Sequence, residues 1–165
     1  ISEIITGLTV TALIRTLIGI IPAVLLTAPF FGVSLLNLGP PLILLFLSLY
    51  FFGMTLGLLV VSGLLKYGPA FENVAWSSLF LLAPLGCIYY PLSILPDWLQ
   101  IIAKTLPLVY IFEEVRSILL NNVVNYSNIM TALTLNLIYF TSAVIIFYAA
   151  FNAARKRGTL VNIGE

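Results

Sequence analysis

TLIGIIPAVLLTAPFFGVSLLNLGPPLILLFLSLYFFGMTLGLLVVSGLL, residues 16–65, contains no charged side chain. A helix crosses the hydrocarbon core of a bilayer with about 20 apolar residues. At ~1.5 Å of rise per residue the run is too long for one crossing and suits two. The break is marked by Asn37-Leu38-Gly39-Pro40-Pro41, because Gly frees the backbone and each Pro removes an N–H donor. The reading is one span over about 8–36 and a second over about 42–65.

Working outward, Lys66-Tyr67-Gly68-Pro69-Ala70-Phe71-Glu72 is the next turn, and the charge-free run after it places a third span at about 74–90. A polar loop, Asn121 to Asn128, precedes a fourth span at about 129–154, which stops at Arg155-Lys156-Arg157. The composition agrees. Only 8% of residues are charged and 61% are hydrophobic, whereas a soluble domain carries roughly 25% charged residues. So few charges cannot cover a water-facing surface. The expected fold class is all-α integral membrane, a polytopic helical bundle forming one transmembrane domain over 1–165.

The same composition excludes other classes. A net charge of +1 gives no reason to expect nucleic acid as a partner, and a single cysteine forms no intrachain disulfide. With no histidine there is no Cys/His cluster for zinc or haem and no histidine general base. Cys87 reads as a small apolar residue inside the third span. The chain starts Ile-Ser-Glu without an initiator Met, and the expectation is that the N-terminal part of a longer protein is missing.

Lys and Arg concentrate on the cytoplasmic side of membrane proteins. With the C-terminus inside, Arg155, Lys156, Arg157, Lys66 and Arg15 are cytoplasmic or close to it, and only Lys104 and Arg116 are external. This favours a multi-pass protein of the cell membrane with a cytoplasmic C-terminus. Arg15 reads as snorkelling to the inner surface. Gly53 and Gly57 have the G-x-x-x-G spacing of close helix approach, within one subunit or between two. Pro84 with Gly86 is expected to kink the third span. There is no internal repeat and no carboxylate deep in a span, which disfavours a secondary transporter or an ion-coupled pump.

Residues 89–116, YYPLSILPDWLQIIAKTLPLVYIFEEVR, fit none of the spans. Three prolines interrupt a segment too apolar for an aqueous loop. Asp97 reads as an N-cap of a short helix with Trp98, Ile102 and Leu106 on one face and Gln100 and Lys104 on another. Pro107 stops that helix. A second starts near Leu108, with Phe112, Val115 and Leu119 as its apolar face and Glu113 and Arg116 as i,i+3 neighbours on its polar side. Neither piece can span. The residues leave two placements open: a re-entrant helical hairpin over about 97–120 on the external side, or two interfacial helices lying on the outer leaflet.

This stretch resembles the membrane-domain signature of type-2 ATP-binding-cassette (ABC) exporters. The matching pieces are Tyr90-Pro91-Leu92-Ser93, Leu95-Pro96-Asp97-Trp98-Leu99-Gln100, Pro107-Leu108-Val109-Tyr110 and Glu113-Glu114-Val115-Arg116. The family includes exporters of daunorubicin-type drugs, nodulation factors, polysaccharides and teichoic acids. The resemblance implies the last four of six spans, with 1–6 as the tail of a coupling region. It places the hairpin as an external gate, with Pro96, Trp98, Pro107, Tyr110, Glu113 and Arg116 as its candidate residues. Ser2, Glu3, Lys66 and Glu72 become candidates to face an ATPase. No G-x-x-x-x-G-K-[ST] pattern occurs, so ATP is expected on a partner ATP-binding subunit, with no cofactor on this chain and no enzyme activity of its own. Two permeases, identical or different, would enclose the path among membrane lipids. Uncharged spans suit a lipid, a lipid-linked glycan or an apolar drug equally. A non-transporting membrane scaffold, and a channel or secondary transporter, are the alternatives.

Overall fold

A computed structural model describes residues 2–31 and 39–157, and every regular element among them is helical. The chain separates into two compact units, Ile1–Leu42 and Ile43–Glu165. The first unit is dominated by α1, Ser2–Phe31, which carries Pro22 and Pro29 inside it. Each of these prolines removes one intrahelical hydrogen bond. The Thr27 hydroxyl donates to the Val24 carbonyl at 2.7 Å. Of the span expected over 8–36, residues 8–31 are helical and the remainder lies outside the described residues, as do Asn37 and Leu38. Gly39 takes φ 61, left-handed backbone that suits a residue without a Cβ.

Helix resumes at Pro40 as α2, Pro40–Tyr67, since a proline at the first helical position loses nothing and presets φ. The last helix, α6, is Tyr126–Arg157; between them lie α3, Phe71–Leu85, α4, Asp97–Ala103, and α5, Pro107–Asn121. Among the described residues α2 and α6 are the two helices long and apolar enough to cross a membrane. The last turn of α6 carries Arg155, Lys156 and Arg157, where cations complement the negative end of the helix dipole.

One seam joins α2 to α6. The Phe51 and Phe140 rings meet edge to face with centroids 5.8 Å apart. Next to them the Asn136 amide donates to the Ser48 carbonyl at 2.9 Å and to the Ser48 hydroxyl at 2.7 Å. Both residues are buried, and the Asn136 Oδ1 finds no donor among the described residues. That orphan acceptor offsets part of the gain from the donated bonds. Interhelical hydrogen bonds in bilayers average about 0.6 kcal/mol, and the Ser48 hydroxyl can turn to a carbonyl of its own helix. Asn136→Leu is therefore expected to change stability by less than about 1 kcal/mol, a shift of under about 4 °C in a thermal melt of the detergent-purified protein. A larger loss would show that this polar pair, and not the aromatic contact, holds the seam.

The third helix departs from the expected 74–90. It begins at Phe71 and ends at Leu85, with Pro84 in its last turn and Gly86 as the C-cap. Pro84 with Gly86 ends the helix instead of kinking it. The Gly86 N–H closes the last turn on the Leu82 carbonyl at 2.7 Å. A Cβ on Gly86 would lie 2.9 Å from Leu108 Cδ1 and 3.0 Å from the Leu82 oxygen, so the bare backbone is what lets Leu108 of α5 close on the end of α3. The Gly53–Gly57 pair behaves otherwise. Among the described residues, no neighbouring atom outside the helix's own backbone lies within 4 Å of a Cβ built at either position, so neither glycine marks a close helix approach within the second unit's described residues.

Apolar surface faces outward on every long helix. Phe80 of α3 is 78% exposed, Phe30 of α1 75%, and Ile145 of α6 65%. So many exposed large apolar side chains suit lipid or a partner as surroundings and do not suit water.

Candidate functional site

The segment that fits no span folds around a core of its own. Cys87, Leu95, Ala103 and Val109 are buried together, with Tyr90, Leu92, Leu99 and Leu106 packed on them. After α3 the chain turns through Cys87, whose φ of 54 is left-handed, an uncommon conformation for a residue with a side chain. Cys87 is fully buried, as a small apolar residue should be, but it sits in this turn and not within a helix. A short 3-10 turn, Leu92–Ile94, leads to Pro96.

Pro96 caps α4. Its carbonyl accepts the Leu99 and Gln100 N–H groups at 2.8 and 3.0 Å. Asp97, expected as the N-cap, is instead the first helical residue, and no side chain caps this helix. The proline takes the cap because its extended backbone, ψ 148, already points its carbonyl into the first turn. An acid in that first turn still favours the positive end of the helix dipole. Leu106 is extended, φ −89 and ψ 131, as the residue before a proline must be, and Pro107 is the first position of α5.

Two carboxylates on α5 do different work. Glu113 Oε1 accepts the Leu92 N–H at 2.7 Å and pairs with Arg116 Nη1 at 2.5 Å. Arg116 Nη2 donates to the Tyr90 carbonyl at 3.0 Å and also to the Cys87 carbonyl. The turn 87–92 has no ladder partner for these groups, and a planar guanidinium can meet two carbonyls and a carboxylate at once. The polar side of α5 is thus a clamp on the turn that follows α3, not a solvated surface pair.

Glu114 lies on the opposite side and is fully buried. Its Oε1 accepts the Asn125 N–H at 2.6 Å, and its Oε2 accepts the Asn128 amide at 3.0 Å. Glu114 therefore caps the start of α6 from a neighbouring helix, satisfying the backbone N–H of Asn125 just before the first turn and holding the Asn128 side chain within it. This alters the expected apolar face of α5. The buried positions are Pro107, Leu108, Val109, Ile111, Glu114 and Ile118, while Phe112, Val115 and Leu119 are half-buried. A carboxylate can occupy the core face because both of its oxygens are hydrogen-bonded. Asn122, at φ 53, ends α5 with a left-handed cap, its N–H donating to the Ile118 carbonyl at 3.0 Å.

The six gate candidates share this helix–turn–helix. Pro96 and Trp98 are exposed at the start of α4, Trp98 at 65%. Pro107 is buried, Tyr110 is half-buried, and Glu113 and Arg116 are the two joined to each other. Of the ATPase-facing candidates, Lys66 and Glu72 are exposed on either side of the short link at Gly68, whose φ of 77 makes the turn. Ser2 and Glu3 stand in the first turn of α1, with their side chains outside the described residues. Sequence reasoning misses the roles of Glu114, Asn128 and the Ser48–Asn136 pair. Spacing gives Glu114 away in retrospect, since it falls with Ile111 and Ile118 on one helical stripe. The Ser48–Asn136 pair, 88 residues apart, carries no such signal.

A family model described as ABC-2 type transporter matches residues 1–120. The match takes in every segment of the hairpin signature, including the Glu113–Arg116 clamp. No curated protein and no solved structure is significantly similar to the chain.

Proposed function

The chain belongs to the ABC-2 type transporter family, the membrane permeases of ABC-type transporters, and on that premise we propose that it forms the translocation path of an exporter driven by a separate ATP-binding subunit. The observation that carries this is the family match over a segment that folds around a core of its own into two short helices, the second clamped to the turn after α3 by Glu113 and Arg116. The hairpin serves as the external gate. Pro96 and Pro107 set its two helix starts, Trp98 and Tyr110 lie where a polar–apolar boundary favours aromatics, and Glu113 with Arg116 ties its second helix to the end of α3. The C-terminus is cytoplasmic, following the basic last turn of α6. The link carrying Lys66 and Glu72, together with Ser2 and Glu3, meets the ATPase, so that closure of the ATPase pair moves α2 and α3. Two permeases, identical or not, enclose the path, and ATP is bound by the partner.

The experiment is co-purification and transport with the full-length protein. The expected outcome is that an ATP-binding subunit is retained through affinity purification, and that a cysteine at Glu72 cross-links to it. Export from proteoliposomes should then need ATP. Failure to retain any ATP-binding subunit favours a scaffold. Transport driven by an ion gradient without ATP favours a secondary transporter.

A further inference from the structure

We propose that the cavity between the C-terminal ends of α2 and α6 is a binding site for an anionic phospholipid of the adjoining leaflet. The cavity holds about 560 Å³ and is lined only by residues of the second unit, a size typical of small-molecule sites. Its floor is apolar. Small side chains on α6, Ala150 and Ala153 among them, leave open space beside α2 that an acyl chain could fill. Its rim is cationic, with Lys66 from the last turn of α2 and Arg157 from the last turn of α6, and no acidic residue lines it. An apolar slot under two cations is complementary to an amphiphile with a negative head, and basic pockets between membrane helices take anionic headgroups.

The rim is built and not incidental. The Lys66 ammonium stands 4.9 Å from the Tyr67 ring centroid, a cation–π contact. Tyr67 stacks on Phe71 with centroids 5.8 Å apart. The Phe71 ring in turn lies on Gly63, where any Cβ would collide with it. Gly63 therefore lets an aromatic wall close one side of the cavity and hold Lys66 over it. Both cations also offset the negative ends of their own helices, without which an anion would be repelled there. Glu72, exposed on the first turn of α3, does not line the cavity. On this inference Lys66, at the cavity rim, serves the lipid in place of the ATPase, and Glu72 remains the link's ATPase-facing charge. The proposal needs from the permease reading only that the chain lie in a bilayer.

The test is native mass spectrometry of the assembled full-length transporter in mild detergent, titrated with dioleoyl phosphatidylglycerol and, separately, with dioleoyl phosphatidylcholine. Phosphatidylglycerol is expected to bind about ten-fold or more tighter than phosphatidylcholine. Lys66→Gln and Arg157→Gln, both at exposed positions that do not threaten folding, should each weaken it about five-fold and leave phosphatidylcholine unchanged. Ala150→Trp, which fills that space, should abolish retention of either lipid. Equal retention of the two lipids, or Gln variants that bind as wild type, overturns the proposal. So does an assembled complex that binds no phosphatidylglycerol, which would make the cavity a protein interface. Loss of the ATP-binding subunit with the lipid preference intact would remove the ATPase reading and leave the lipid site standing.

Discussion

Glu114→Ala is expected to lower the thermal unfolding midpoint of the purified protein by about 6–12 °C, the equivalent of about 3 kcal/mol for a chain of this size. Glu114 is fully buried and both of its oxygens accept, one from the Asn125 N–H and one from the Asn128 amide. Truncation removes both charge-assisted bonds at the start of α6 and leaves their two donors without this acceptor. Each unsatisfied donor costs about 1–3 kcal/mol, and the hole adds a packing loss. Glu114→Gln separates the two effects. Its amide oxygen can still accept the Asn125 N–H and its volume is unchanged, so the loss should fall to about 1 kcal/mol. Asn128→Ala removes one bond and should lie between. Wild-type melting of Glu114→Ala would mean that α5 is not what fixes the start of α6.

The sequence made some of this visible and hid the rest for physical reasons. Charge-free length announced the long helices α2 and α6, because a charge at bilayer depth is costly and rare. Pro40, Pro69 and Pro107 marked the breaks correctly, since a missing N–H and a fixed φ act locally. Asp97 misled because capping depends on the direction of the preceding carbonyl, and the extended Pro96 supplied that contact itself. Pro84 with Gly86 suggests a kink from the sequence, because local chemistry alone does not say whether helix continues beyond a disruption. Here Leu108, from 22 residues onward, fills the space over Gly86. Glu113 and Arg116 were legible as a pair by their spacing, but not the carbonyls of Cys87 and Tyr90 that give the pair its purpose. Those contacts span 26 and 29 residues and leave no periodic trace.

Arg116→Ala is expected to reduce export by the assembled transporter at least ten-fold at unchanged expression. The guanidinium bridges three groups: the Cys87 carbonyl, the Tyr90 carbonyl and the Glu113 carboxylate. Its side chain is 23% exposed, so these bonds are only partly screened. Removing it strands two turn carbonyls and a carboxylate, at a combined cost of about 2–4 kcal/mol. If the hairpin is the gate, that clamp is the part linking its second helix to α3, and motion of α3 reaches the gate through it. Arg116→Lys should recover only part of the export, because a single ammonium cannot match the fork. Glu113→Gln keeps an acceptor for the Leu92 N–H and should lose less than Arg116→Ala. A double-mutant cycle between Glu113 and Arg116, read both as melting temperature and as export, then separates the two roles. Coupling in stability alone would make the clamp a structural fastener. Coupling in export beyond that in stability would make it the connection through which the gate is worked. Unchanged export in Arg116→Ala would remove the pair from the gate altogether.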